Sequence, residues 1–341
     1  MTHRERMLRA LEYRRPDRMP VYYHPSPAGL HVHGRKLLEL FRAHPPDNYV
    51  KFDEIPQPDP RTVGPDGTYH KFETDDWGTE WEYCTFGLQG SPRKLPLADF
   101  GRLKDYRLPP PPAVGGAAFE AQRQELSRIR DEYLVFGGWI LVFEKLCELR
   151  PMDDVLVELY TGEAPLLGLL GRVEDWMLQS LRYELAVGRE AIFFGDDWGF
   201  QTGPAISPEK FRELFAPGYA RMFGEVKARG GRVIFHSCGR LDGILDELLA
   251  LGIDCIWPQA NCYDARELAR TCKDHGASVL IHPDRQRLVP HGTPAEIREQ
   301  VARYAEIHHG LGGGGIFYVE IENDAPFENV EALITAIAEC R

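Results

Sequence analysis

The stretch RVIFHSCG, residues 232–239, opens with an apolar, β-branched run and breaks into a histidine, a serine, a cysteine and a glycine. A run this short and apolar reads as a buried parallel strand with ionisable groups gathered at its C-terminal end. The pattern recurs on either side, as YLVFGG at 133–138, AIFFG at 191–195, DCIW at 254–257, SVLIH at 278–282 and GIFYVEI at 315–321. Helical patterns separate the runs. Ser207 and Pro208 open one, with Phe211, Leu214, Phe215, Met222, Phe223 and Val226 at helical spacing, and Thr293, Pro294 and Glu296 open another as a capping box. With MPVYYH at 19–24 and NYVKF at 48–52 the count reaches about eight strands, which predicts an α/β fold, a (β/α)8 TIM barrel. The alternative is a doubly wound open sheet. It lacks a phosphate fingerprint, because the glycine run Gly312–Gly315 precedes a strand instead of joining a strand to a helix.

Additions flank this repeat. Thr2 and Glu5 have capping-box spacing ahead of Met7, Leu8 and Leu11, so a short helix ended by Pro16 and Pro20 is expected, then another over about Gly34 to Ala43. Residues 56–115 form a β-rich insertion in this reading: Gly64 to Gly90 holds a Pro-Asp-Gly turn, dense aromatics and no helical period, and the prolines at 109–112 with Gly115 and Gly116 read as a linker. One barrel domain over 1–341, carrying that insertion, is the expected organisation.

The 341 residues are 43% hydrophobic and 27% charged, an ordinary globular balance. Asp plus Glu exceed Lys plus Arg by 52 to 40, and the net charge of −12 argues against nucleic acid as a partner. The first twenty residues lack an apolar signal core, and no run approaches the roughly 18 apolar residues of a membrane helix, so a soluble, cytoplasmic protein is expected. Seven cysteines are too few, and odd in number, for a disulfide scaffold of this size.

Barrel active sites form at the C-terminal ends of strands, so the polar residues there are the candidates. They are His24, Asp196, Asp197, His236, Cys238, Gln259, His282, Asp284, Glu320 and Glu322. His236 and Cys238 stand two apart and point to one side of a strand, with Gly239 free to turn the chain away. Imidazole with thiolate suits zinc; the alternative is a buried pair that happens to be two apart. Adjacent residues on an extended chain face opposite ways, so at most one of Asp196 and Asp197 faces the cavity, while the other caps or pairs structurally. Trp77 and Trp81 pack the meander onto the barrel mouth, either lining the cavity or filling core. Cys255, Cys262 and Cys272 lack zinc-ribbon spacing, and His308 with His309 suits a helix C-terminus.

The segment GDDWGFQTGPAISPEKFRELFAPGY at 195–219, followed by RVIFHSCG, LDELLALGID, PDRQRLVPHGTPAEIREQV and DAPFENVEAL, resembles the uroporphyrinogen decarboxylase superfamily. With the weaker RERMLRALEYRRPDRMPV start and DDWGTEW at 75–81, the resemblance spans nearly the whole chain. It implies a single (β/α)8 barrel with N-terminal additions. Porphyrinogen decarboxylases carry an arginine-rich loop after the first strand; the matching YYHPSPAGLHVHGRK offers His24, His31, His33 and Arg35 instead. The corrinoid-dependent methyltransferases of the superfamily carry a His-x-Cys zinc pair, matched here by His236 and Cys238, and the chain looks closer to that branch. Their third ligand, a cysteine, aligns with Val319, which leaves Glu320 or Glu322 to supply an oxygen, with His282 as a further candidate and a metal-free site as the alternative.

The resemblance therefore implies a zinc-dependent methyltransferase moving a methyl group between a corrinoid protein and a small thiol, folate or methoxylated substrate. Asp196 or Asp197 would position substrate or act as general acid, and His24, Gln259, His282 and Trp77 would contact it. The chain has no Asp-x-His-x-x-Gly stretch, so the corrinoid would arrive on a partner protein. Two rivals remain, a cofactor-free uroporphyrinogen-type decarboxylase and a non-catalytic ligand-binding relative, and a homodimer stays open.

Overall fold

Alternation along each short strand decides which side chains meet the helices and which meet one another. The computed structural model describes residues 1–340. Its strands are β1 (Val21–His24), β2 (Lys71–Thr74), β3 (Glu80–Tyr83), β4 (Ser91–Lys94), β5 (Phe136–Ile140), β6 (Ala191–Gly195), β7 (Gly199–Phe200), β8 (Gly203–Pro204), β9 (Arg232–Ser237), β10 (Cys255–Pro258), β11 (Ser278–Ile281) and β12 (Gly315–Glu320). Seven of them pair in parallel in the order β1-β12-β11-β10-β9-β6-β5, with helices between successive strands. One set of alternating residues (Ile192, Phe194, Val233, Phe235, Val279, Phe317, Val319) packs outward against the helices. The other set (Ala191, Phe193, Ile234, Cys255, Leu280, Ile316, Tyr318) fills the inside, and Met7, Ala10 and Leu11 close its lower end.

This is the expected α/β barrel, with seven laddered strands instead of eight. The run NYVKF is not a strand. Pro45 and Pro46 bring no backbone donors, and side chains then stand in for a ladder beside β1. The Asp47 N–H donates to the Val21 carbonyl at 2.7 Å, the Asp47 carboxylate accepts from the Val21 N–H at 3.0 Å, and the Asn48 amide bonds both backbone groups of Tyr23 at 2.8 and 3.0 Å. Among the described residues no ladder joins β1 to β5. Their side chains meet across the seam, with the Tyr22 ring edge-on to Phe136 at 5.0 Å and to Phe193 at 5.6 Å, so the sheet curls until its two ends touch.

The N-terminal helix His3–Leu11 forms as expected, with Thr2 accepting from the Glu5 N–H, and the next helix begins earlier than its pattern suggested, at Pro27. The insertion contains the antiparallel sheet β2-β3-β4, which carries Trp81 to the barrel mouth. No helix of the described residues is long and apolar enough to cross a membrane.

Candidate metal and substrate site

The inward parity that places Ile234 in the barrel interior carries His236 to its mouth, and the same rule places Trp257, His282, Tyr318 with Glu320, and Tyr22 with His24. Strand register makes them neighbours: His236 pairs with Gly195 on one side and Trp257 on the other, and His24 pairs with Glu320. The His236 and Trp257 rings lie 4.2 Å apart, and Trp257 and Tyr318 4.1 Å apart.

Three ligating groups converge here. Atoms of Asp197, His236 and Cys238 all lie within 4.8 Å of one another. His236 Nδ1 sits 2.9 Å from the Trp257 carbonyl oxygen, which can only accept, so this nitrogen carries the proton and Nε2 presents a lone pair. That Nε2 is 3.5 Å from Cys238 Sγ and 3.6 Å from Asp197 Oδ1. Burial lowers the His236 pKa, keeping the imidazole neutral as a metal ligand must be. Burial and the Asp197 charge push the Cys238 thiol well up, so thiolate and carboxylate share this space only around a cation. Nitrogen, sulfur and oxygen donors in one cluster fit a zinc-class ion.

The two aspartates divide as parity requires. Asp196 is fully buried and caps the helix Phe143–Leu149, accepting from the Val142 N–H at 2.8 Å, the Glu144 N–H at 2.7 Å and the Tyr219 hydroxyl. Asp197 is the one that faces the cavity, accepting from the Cys238 N–H at 2.8 Å. Close backbone contact locks its loop to the Cys238 loop. Gly239, at φ +71°, would place a Cβ 2.2 Å from the Gly199 carbonyl oxygen, and the Trp198 N–H donates to Ser237 Oγ at 3.0 Å.

The remaining expected residues are placed as follows. Val319 is fully buried in the outward, helix-facing layer, so its inward neighbour Glu320 is the residue that reaches the mouth; Glu320 lines the cavity, accepts from the Tyr318 hydroxyl at 3.1 Å and stands apart from the three-residue group. Glu322 is engaged by Arg285 and does not join that group either. Gln259 ties loops together: it accepts from the Gly239 N–H at 2.9 Å and donates to Gln286 at 2.7 Å. His282 lines the cavity, and burial lowers its pKa to about 3. His24 is half exposed, 3.9 Å from Glu320. Trp77 is not at the mouth. It is buried edge-on to Trp176 at 4.7 Å, under the Lys145 ammonium. Its place is taken by Trp81 and by Trp139, which is 47% exposed at the centre of the mouth.

Two chambers meet at His236 and Trp139. A cavity of about 200 Å³ holds Cys238, His282, Arg285 and Glu320, and a chamber of about 610 Å³ is walled by Trp81, Phe143, Met152, Glu144 and Asp197. Burial, with the charges of Asp196 and Asp197, raises the Glu144 pKa and so favours its neutral carboxyl. Trp139, Trp257 and Glu144 escaped the sequence reading. For Trp257 the signal was present, since it shares parity with the run's other inward residues; Trp139 follows two glycines that were read as a strand's end.

Comparison with known proteins places the chain in a family. The family described as Uroporphyrinogen decarboxylase (URO-D) matches residues 96–340. A uroporphyrinogen decarboxylase of Aliivibrio salmonicida (strain LFI1238) is 24% identical over 216 residues, covering 61% of this chain and 55% of that protein. One from Carboxydothermus hydrogenoformans is 25% identical over 173 residues, covering 50% and 47%. The chain thus spans about half the length of these relatives. Among solved structures, a methyltransferase from Methanosarcina mazei shares the fold over 99% of both chains, with a TM-score of 0.67 and 16% identity. The chain belongs to the uroporphyrinogen decarboxylase family.

Proposed function

We propose that this protein is a zinc-dependent methyltransferase that moves a methyl group between a corrinoid carried on a partner protein and a small thiol, folate or methoxylated substrate. The observation that carries the reading is the cluster of Asp197, His236 and Cys238 at the mouth. In this assignment Asp197 takes the ligand position for which Glu320 and Glu322 were the sequence candidates. The name of the solved neighbour, a methyltransferase, supports the same reaction class.

A zinc ion held by these residues would supply Lewis acidity, keeping a thiol ionised or an ether oxygen polarised at neutral pH. The chain's own groups do the rest. The Trp257 carbonyl fixes the His236 tautomer, Trp81 and Trp139 present apolar ring faces that orient a substrate, and Glu144 holds a proton that a departing alkoxide or phenoxide can take. A decarboxylase that binds several carboxylates needs several free cations. Of the arginines, Arg285 lines the 200 Å³ cavity and is paired with Glu322, while Arg35 is exposed, so that reading is less well supported.

Elemental analysis of full-length protein prepared without an affinity tag tests the proposal. One zinc equivalent per chain lost in Cys238→Ala, together with a change in a methylcorrinoid's visible spectrum on mixing with acceptor and wild-type enzyme, is the expected result. Zinc content identical in wild type and Cys238→Ala, after zinc is supplied, would overturn it.

A further inference from the structure

A second group of ligating side chains lies on the insertion, on the face of β3 opposite the one that carries Trp81. In the β2–β3 pair Lys71 opposes Tyr83, so the next residues outward, His70 and Cys84, stand opposite each other, and Glu82 is two residues before Cys84 on the same face. The atoms confirm the pattern: one nitrogen of His70, one carboxylate oxygen of Glu82 and Cys84 Sγ all lie within 4.8 Å of one another. His70 Nε2 is 2.7 Å from Glu82 Oε1, and the other carboxylate oxygen is held by Arg93 Nε at 2.5 Å. Arg93 thereby fixes the carboxylate with Oε1 turned toward His70 and Cys84. All three residues are solvent-accessible, so an ion has an entry path and water can complete its shell.

We propose that His70, Glu82 and Cys84 form a second metal site, specific for a borderline-soft divalent cation of the zinc class. Nitrogen, sulfur and oxygen are the donor types such ions combine, and thiolate plus carboxylate neutralise a dication. Binding releases the Cys84 proton to solvent, and the proton that His70 Nε2 lends to Glu82 leaves that nitrogen, to Nδ1 by tautomerisation through solvent or to solvent from the imidazolium, so that a lone pair faces the ion in place of the hydrogen bond. The site staples β2 to β3, the strand whose opposite face presents Trp81 to the 610 Å³ chamber. Occupancy would therefore stiffen one wall of the substrate chamber from the opposite face of β3.

The proposal does not depend on methyl transfer, and its test separates the two. Metal-free full-length protein is titrated with cobalt(II), whose bond to a thiolate gives a near-ultraviolet charge-transfer band, and zinc equivalents are counted for wild type, Cys84→Ser, Cys238→Ala and the double variant. The expected result is one equivalent lost in each single variant, no thiolate band in the double variant, and an apparent affinity at the second site roughly tenfold or more weaker in His70→Gln. If the Cys238 site takes no metal, wild type binds one equivalent and Cys84→Ser none, so the second site survives failure of the functional reading. The proposal is overturned if Cys84→Ser, at an exposed position that leaves the circular dichroism unchanged, binds as much metal as wild type. It is equally overturned if Cys238→Ala shows no cobalt–thiolate band.

Discussion

Asp196 and Asp197 are neighbours with opposite duties, and substitution should separate them. Removing the Asp196 carboxylate strands three buried donors, so Asp196→Ala should cost about 3–5 kcal/mol in urea unfolding. Asp197→Ala leaves one exposed-edge bond unmade; it should change unfolding by about 1 kcal/mol or less while lowering zinc content. Equal stability losses would show that the division is wrong. Gly239→Ala tests the loop clasp. Its Cβ meets the Gly199 carbonyl oxygen at 2.2 Å in a backbone region glycine favours, so a penalty of about 2 kcal/mol or more and a lower melting temperature are expected. At this scale parity was the legible part: it required one aspartate to face inward and the other to be structural. Which one did so was settled by Tyr219 and the helix at 143–149, contacts 23 and about 50 residues away in sequence. The choice between Glu320 and Glu322 was not legible, since the two share parity and only the pairing of Glu322 with Arg285 tells them apart.

Elements were more legible than contacts. Each apolar run after residue 130 became a strand of the parallel sheet, because burial on both faces demands an uninterrupted apolar string. NYVKF met the same compositional test and failed, since the Asp47 and Asn48 side chains satisfy β1 in a way that no propensity records. The capping box at Thr293 was readable and is present, with Glu296 reaching back to the Thr293 N–H at 2.8 Å; Thr293→Ala should cost about 1 kcal/mol by thermal unfolding. The last turn of the same helix holds His308, which sequence suggested as a dipole partner. Instead it is buried, and burial lowers its pKa to about 4. Because the folded value lies below the ordinary 6.5, the unfolded chain takes up a proton that the folded one refuses. Stability from this residue is thus complete above pH 6.5 and is lost as pH falls through about 4. Urea midpoints at pH 7 and pH 5 should diverge less in His308→Gln than in wild type.

For the molecule as a whole, the N-terminal helix is a plug. Met7, Ala10 and Leu11 bury against Leu134, Leu280 and Ile316, and Arg4 holds Glu190 through two bonds of 2.6 and 2.8 Å. Deleting residues 1–12 should open the lower end of the barrel, seen as binding of a hydrophobic dye and a lower urea midpoint. The upper end is governed by the seam. A cylinder whose first and last strands share no ladder is a split ring, and its girth is set by an aromatic clasp of Tyr22, Phe136 and Phe193. Widening such a ring slides rings past one another and breaks no strand-to-strand hydrogen bond. The join between β1 and β5 is therefore the seam of the ring that rests on side-chain contacts instead of a ladder, and loosening it costs packing but no strand pairing.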